Sequence, residues 1–206
     1  MDNQHPGING GFFPQEELAR FGFRHLGQNV QLSRAAIILS PENIILRDFC
    51  RVDAFSILSA GSTGCIDLGR YVHVGNSCFV AGASGVTLED FAGLSPGVRL
   101  FSESDDFSGQ AMAHPTIPAR YRSVTKAPIL LRQHSLVGSG SVVLPGVELG
   151  EGAAVGALSL VSTSLPAWGI YAGCPARKIR NRKTNPLALQ AEFERDTALN
   201  TNTSNP

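Results

Sequence analysis

Residues 131 to 161 read "LRQHSLVGSGSVVLPGVELGEGAAVGALSLV", and an aliphatic residue returns every sixth position without a slip: Leu131, Val137, Val143, Leu149, Val155, Val161. A helix cannot use that period, because its apolar stripe repeats at three, four and seven residues. Short strands separated by tight corners can. The same spacing runs through the earlier chain as triplets: Leu26, Leu32, Ile38; Leu46, Val52, Leu58; Leu68, Val74, Val80; Leu88, Leu94, Leu100. Eight or ten residues separate one of these triplets from the next. Three hexapeptides make a triangular coil of about eighteen residues, and each coil finds its partners only in its neighbours.

The details of the repeat fit a coil. Four places after an anchor stands a small or modest residue, among them Cys50, Ser56, Cys78, Ala92, Ser141 and Ser159, which fits beside the anchor near a corner. Glycine often follows the anchor, as at Gly27, Gly69, Gly75, Gly138, Gly150 and Gly156. The expected reason is its tolerance of unusual backbone angles at a turn. Val86, Leu88 and Phe91 are expected in the core, and Glu89 and Asp90 at a corner.

Composition sets outer limits. The chain has 206 residues, 43% of them hydrophobic, enough for one sizeable core. Seventeen basic and seventeen acidic side chains cancel, so neither nucleic acid nor an anionic membrane is expected as a partner. No apolar run nears the roughly 20 residues of a membrane span, and the polar start "MDNQHPGINGG" lacks a signal-peptide pattern. A cytoplasmic location is expected. The four cysteines have neither paired spacing nor the density of a disulfide scaffold, and read as reduced thiols. No His or Cys cluster has ligand spacing, so no metal is expected.

The organisation falls into three parts. Residues 1–25 form an arm, mobile over 1–12, with a short helix in "PQEELARFG", where Pro14 opens the turn and Glu16 and Glu17 suit the helix dipole. Residues 26–182 are the coils, interrupted by an excursion at 101–128 that leaves the register. Residues 183–206 hold a helix over 185–197, whose Leu187, Leu189 and Phe193 are expected to cover the open end of the stack or another subunit, and then a disordered tail. The Asn202-Thr203-Ser204 sequon in that tail carries no meaning in a cytosolic protein.

The run from Val137 to Arg182, closing on "GCPARKIR", resembles the C-terminal coils of the hexapeptide-repeat acyltransferases. The resemblance extends from Leu26 to Arg182. It implies an all-β, left-handed parallel β-helix of about six triangular coils, and a homotrimer with active sites between subunits. It also implies an acyl donor, acetyl-CoA or another acyl-CoA, lying in a groove between neighbours. By residue-for-residue match, Arg177 and Arg180 fall on the family's phosphate-contacting positions, while Ser139, Ala157, Ser162 and Thr163 fall on positions lining the pantetheine groove. Arg177, Lys178, Arg180, Arg182 and Lys183 together form a basic cluster at the nucleotide end of the coenzyme.

The excursion carries the acceptor chemistry. Galactoside and maltose O-acetyltransferases resemble this chain but place a histidine of "TATHP" where the repeat register puts Asp105 of "LFSESDD". His114-Pro115 lies nine residues further on, too far along for the same role, and His134 is expected to be structural or a groove lining. His73, in "RYVHVGNSCFVAG", sits near a corner, where an imidazole is a natural proton acceptor. The stretch 90–121, with "DDFSG" and "PTIP", and the helix "QEEL" before Gly22 and Phe23 resemble N-acyltransferases of nucleotide-linked 4-amino-4,6-dideoxy sugars. That branch implies Asp105 and Ser95 beside the sugar amine, in the making of lipopolysaccharide O-antigen or another surface glycan, and His73 is expected to assist from its own place near a corner. Two other readings stay open: a sugar O-acetyltransferase using His73 or His114, and a non-catalytic scaffold.

Overall fold

The computed structural model describes residues 10–203. Its strands stack as a parallel β-solenoid with three sheets, one for each side of a triangle. The first sheet runs through Ile44–Leu46, Ile66–Leu68, Val86–Leu88 and Ile129–Leu131. The second runs through Arg51–Val52, His73–Val74, Gly93–Leu94, Leu136–Val137 and Ala154–Val155, and the third through Ile57–Ser59, Phe79–Ala81, Arg99–Phe101 and Val142–Val143. Pairing keeps the anchors aligned from coil to coil: Leu68 faces Leu88, which faces Leu131, and Val74 faces Leu94, which faces Val137. All anchors from Leu46 to Val161 are buried; Leu26 and Ile38 of the first coil are partly buried and pack on the core.

Six full coils are followed by a partial seventh, one more than the register shows. Leu165 pairs with Leu149, and Gly169–Ala172 pairs with Ala154–Val155. The seventh is hidden because its first anchor, Leu165, comes four residues after Val161 instead of six.

The glycines after the anchors serve a different purpose from the one expected. None of them has a positive φ. A Cβ on Gly69 would lie 2.7 Å from the Asp90 nitrogen, and one on Gly138 would lie 2.6 Å from the Ala157 nitrogen. The next coil's backbone passes too close for any side chain. Gly69→Ala is therefore expected to cost about 1–3 kcal/mol through overpacking, and thermal unfolding should show Tm falling by several degrees.

The left-handed backbone sits three residues after the anchor instead. Asn29, Phe49, Phe55, Tyr71, Ser77, Phe91, His134, Leu158 and Trp168 hold φ between 53° and 62° there. Each costs on the order of 1 kcal/mol relative to glycine. At one corner the side chains offset this by stacking: Phe49 on Tyr71 at 4.8 Å, Tyr71 on Phe91 at 5.1 Å, Phe91 on His134 at 5.2 Å. Phe91 thus belongs to an outer aromatic column and is only half-buried, not a core residue.

Two helices flank the coils. The first, α1 (Gln15–Leu18), buries Leu18 completely against the first coil. The second, α2 (Asn185–Thr203), does not cover the end of the stack. It lies along the aromatic column, with Phe193 edge-on to Tyr71 at 5.1 Å and Gln190 Oε1 within 2.7 Å of His134 Nε2. Helix also continues over 199–203, where a disordered tail is expected from the sequence. Residues 1–9 and 204–206, which include most of the arm expected to be mobile and the last residue of the sequon, lie outside the described residues. No helix among the described residues is long and apolar enough to cross a membrane.

Candidate active site

The excursion leaves the fourth coil after Arg99–Phe101. Glu103–Asp105 and Val124–Lys126 pair antiparallel as its base. Its two acidic neighbours divide their roles. Asp106 accepts from the Ser108 hydroxyl at 2.7 Å, the Ser108 amide at 2.9 Å and the Ala111 amide at 2.9 Å. Those bonds, the hydroxyl's foremost, hold its carboxyl down at about 2, so it stays ionised as a turn staple. Asp105 is half-buried and keeps one oxygen free of such ties. Among the described residues its carboxylate accepts only the His114 amide, on Oδ2 at 3.2 Å. His114 thus contributes its backbone to the site, while the residue itself is exposed.

Strand alternation on the second sheet buries Val74 and Leu94 and turns His73 and Gly93 outward, paired across adjacent coils. Ser95 follows Leu94. Its amide donates to the Val137 carbonyl at 2.9 Å and its carbonyl accepts from Cys78 Sγ at 3.3 Å, so its backbone is clamped between coils. His73 pairs with a partner that the sequence reading missed. Its Nε2 lies 2.8 Å from Asp53 Oδ2, and Arg51 Nε donates to Asp53 Oδ1 at 2.7 Å. Burial pushes the Asp53 carboxyl up, but the His73 and Arg51 hydrogen bonds outweigh it and leave the group below its ordinary value. The missed signal was register: Arg51 and His73 pair across neighbouring coils, and Asp53 lies two residues from Arg51.

Ser95 and Asp105 do not meet within one chain. The strand Arg99–Phe101 runs along the third side of the triangle between them, so they occupy different corners of one coil. The residues matched to the coenzyme divide likewise. Ser139 and Ala157 stack one coil apart at one corner, where the Leu158 amide bonds the Ser139 carbonyl at 2.9 Å. Neither the Ser139 nor the Ala157 amide finds an acceptor among the described residues. Ser162 and Thr163, both exposed, follow Val161 at the next corner.

Arg177 and Arg180 lie on Arg177–Asn181, which pairs antiparallel with Gly169–Ala172. Residues three apart on a regular strand point to opposite sides. Here a bulge sets Arg180 opposite Ile170 and Arg177 opposite Ala172, two residues apart on the partner, so both arginines face the same side. Arg182, expected to belong to the coenzyme's basic cluster, is instead a strut. Its Nη1 donates to the His134 carbonyl at 2.8 Å and the Gly152 carbonyl at 3.0 Å. His134 itself is buried in the aromatic column.

The remaining candidates are quiet. Burial pushes the Cys50 thiol up to about 12 and raises that of Cys78, as suits core filler. Glu89 and Asp90 hold Arg132 and Arg70 at 2.9 and 2.8 Å. No group of three or more metal-ligating side chains comes together among the described residues.

No family model matches the chain. Individual proteins do. The dTDP-4-amino-4,6-dideoxy-D-glucose acyltransferase of Escherichia coli is 34% identical over 183 residues, covering 89% of this chain and 95% of that one. The solved structure of AntD, an N-acyltransferase from Bacillus cereus in complex with dTDP and 3-hydroxybutyryl-CoA, superimposes with a TM-score of 0.87 at 38% identity, covering 91% of this chain and 98% of that one. AntD has also been solved with a substituted serine and with a substituted aspartate ten positions further along. A maltose O-acetyltransferase from Clostridium difficile 630, at 17% identity and a TM-score of 0.58 over 82% of this chain and 74% of that one, shares the fold. With most of its length matched at this identity, the chain belongs to the hexapeptide-repeat, left-handed β-helix acyltransferases, in the branch that includes the dTDP-4-amino-4,6-dideoxy-D-glucose acyltransferase.

Proposed function

We propose that this acyltransferase moves an acetyl or other short acyl group from acyl-CoA to the amino group of a nucleotide-linked 4-amino-4,6-dideoxy sugar, in the cytoplasm, for a surface polysaccharide such as O-antigen. The observation that carries this reading is the pair Ser95 and Asp105. They are ten residues apart, the separation of the serine and aspartate substituted in AntD, whose serine variants have been solved with dTDP-4-amino-4,6-dideoxyglucose and coenzyme A.

The chemistry fits an aspartate. A sugar hydroxyl is a very weak acid and needs a strong, well-placed base before it attacks a thioester. A neutral amine attacks through its own lone pair. A carboxylate that accepts one of its N–H bonds aims that lone pair and stabilises the positive charge that grows on nitrogen. Asp105 has an oxygen available for this, since only Oδ2 is tied, to the His114 amide. Ser95 holds the sugar from the other side. The outward amides of Ser139 and Ala157 line the thin pantetheine arm, with Ser162 and Thr163 opposite, and the Ser139 amide meets the oxyanion. Arg177 and Arg180 grip the coenzyme's phosphates.

Because these groups sit at different corners of one chain, the site needs a second copy, and a homotrimer supplies it. The outward side of the third sheet supports this. It presents Ile37 and Leu39, each 50% exposed, beside Ile57, Phe79, Phe101 and Val142, with the exposed Arg99 set between Phe79 and Val142. An apolar side of that kind favours burial against another subunit. Light scattering is expected to give three times the 21.9 kDa chain mass, and Phe79→Asp should lower it to that of a single chain.

O-acetylation remains the second reading because His73, paired with Asp53, has the partner a general base would want. Product chemistry separates the two. Acetyl-CoA is supplied with dTDP-4-amino-4,6-dideoxyglucose or with its 4-hydroxy counterpart, and thiol release is followed. The amine should be acylated to a product that survives mild alkali, as an amide does. A faster reaction with the hydroxyl sugar, giving an alkali-labile ester, would reverse the assignment.

A further inference from the structure

The Asp53–His73 pair stands on the outward side of the second sheet, His73 one coil below Ser95 and Asp53 two. His73 pairs with Gly93, and Ser95 lies two residues beyond that glycine on the same strand line. In the column that holds Asp53 and Ser95, the intervening residue is Gly75. Its site for a Cβ lies 2.9 Å from the Leu94 carbonyl oxygen and 3.0 Å from the Pro96 nitrogen. The next coil's backbone closes over Gly75 and Leu136 Cδ1 lies 3.3 Å from the Cβ site of Gly93, so neither glycine puts a side chain of its own between the imidazole and the serine. Among the described residues the ring's hydrogen-bond anchor comes from the preceding coil. Arg51 and Asp53 face it from the preceding coil, while Gly93 of the following coil offers no side chain.

The geometry points to Asp53 as a positioning residue that makes His73 the acceptor of the proton lost by the sugar amine. This rests on the amine reading above. An ionised carboxylate only accepts, so the ring nitrogen 2.8 Å from Asp53 Oδ2 must be the one that carries hydrogen. In the neutral ring Nε2 then bears the proton and Nδ1 is left with a free lone pair. As the amine nitrogen attacks the thioester carbon, a C–N bond forms and the C–S bond breaks, releasing thiolate. The nitrogen must also shed one proton to become an amide. That proton passes to Nδ1, the imidazolium is stabilised by Asp53, and the proton then leaves to the departing thiolate, giving free coenzyme A. Asp105 aims the amine; His73 clears the proton.

Asparagine at position 53 is the informative change. Arg51 Nε keeps the amide oxygen, so the amide NH2 faces Nε2 and the ring is forced to carry its proton on Nδ1, where it cannot accept. Long-range proton–nitrogen spectra of the full chain labelled with 15N-histidine, with His73 assigned by loss of its signals in His73→Gln, should show a protonated Nε2 and a bare Nδ1. Asp53→Asn should invert that pattern. It should also lower kcat roughly 10- to 100-fold, part of the total that proton transfer is worth. KM for acetyl-CoA should stay within about twofold, and Asp53→Glu should recover part of the rate, which a purely structural role would not predict. A wild-type ring protonated on Nδ1 would overturn the proposal, and so would unchanged kcat in Asp53→Asn. If the wild type acylates no amino sugar nucleotide, the substrate reading fails, and the spectra still decide the tautomer. If Asp53→Asn does not fold, the wild-type spectrum decides alone.

Discussion

Asp105→Asn is expected to lower kcat on the amino sugar by about a hundredfold or more, the usual cost of losing a well-placed charged group at the reacting atom. Asparagine keeps the shape and still accepts from the His114 amide, so the hairpin of Glu103–Asp105 and Val124–Lys126 should stay intact. What it loses is negative charge beside a nitrogen that becomes positive during attack. KM for the acyl donor should hardly move. Two controls sharpen the result. His114→Asn should change the rate less than twofold, because His114 contributes its amide. Asp106→Asn should also leave the chemical step alone, since that carboxylate is spent on Ser108 and Ala111. Steady-state kinetics of the three variants, with Tm measured alongside, check the assignment.

The second large effect is on the donor. Arg177 and Arg180 are both exposed, and the bulge opposite Ile170 and Tyr171 brings them to one side of the strand pair. Charge-assisted contacts to phosphate are worth about 1.5–3 kcal/mol each, so the double change Arg177→Ala, Arg180→Ala should raise KM for acetyl-CoA by about a hundredfold or more. The effect should shrink for a donor truncated to the pantetheine arm, because the phosphates are then absent. Arg182→Ala should behave differently. It removes bonds to the His134 and Gly152 carbonyls, so Tm should drop while KM changes little. The three arginines of one cluster would then be separated by measurement into a ligand grip, Arg177 with Arg180, and a strut, Arg182.

The coil was legible because its signal is local. An inward anchor every six residues and a small partner four places later are both read along the chain, and the burial of Leu46, Cys50, Val52 and Ser56 follows directly. The excursion was legible as the one place where the register fails for long. Features that depend on how coils align were not. The column Phe49, Tyr71, Phe91, His134 and Trp168 has unequal spacing in sequence, and it forms only because each residue falls three places after an anchor of the same sheet. The partnership of Asp53 with His73 likewise crosses coils, twenty residues apart. The glycines after the anchors were read as turn residues, whereas the constraint on them is the backbone of the following coil. The position of α2 along the aromatic column could not be read from its own Leu187, Leu189 and Phe193, because the surface it meets is built by three separate coils.

A crystal structure of the assembled protein with coenzyme A and dTDP-4-amino-4,6-dideoxyglucose weighs the whole account at once. The sugar nitrogen should lie about 3 Å from an Asp105 carboxylate oxygen, across a subunit boundary from Ser95 and His73, with the thiol end of the coenzyme beside it. Finding Asp105 turned to open water, with an imidazole against a sugar hydroxyl in its place, would contradict the account and make the product an ester.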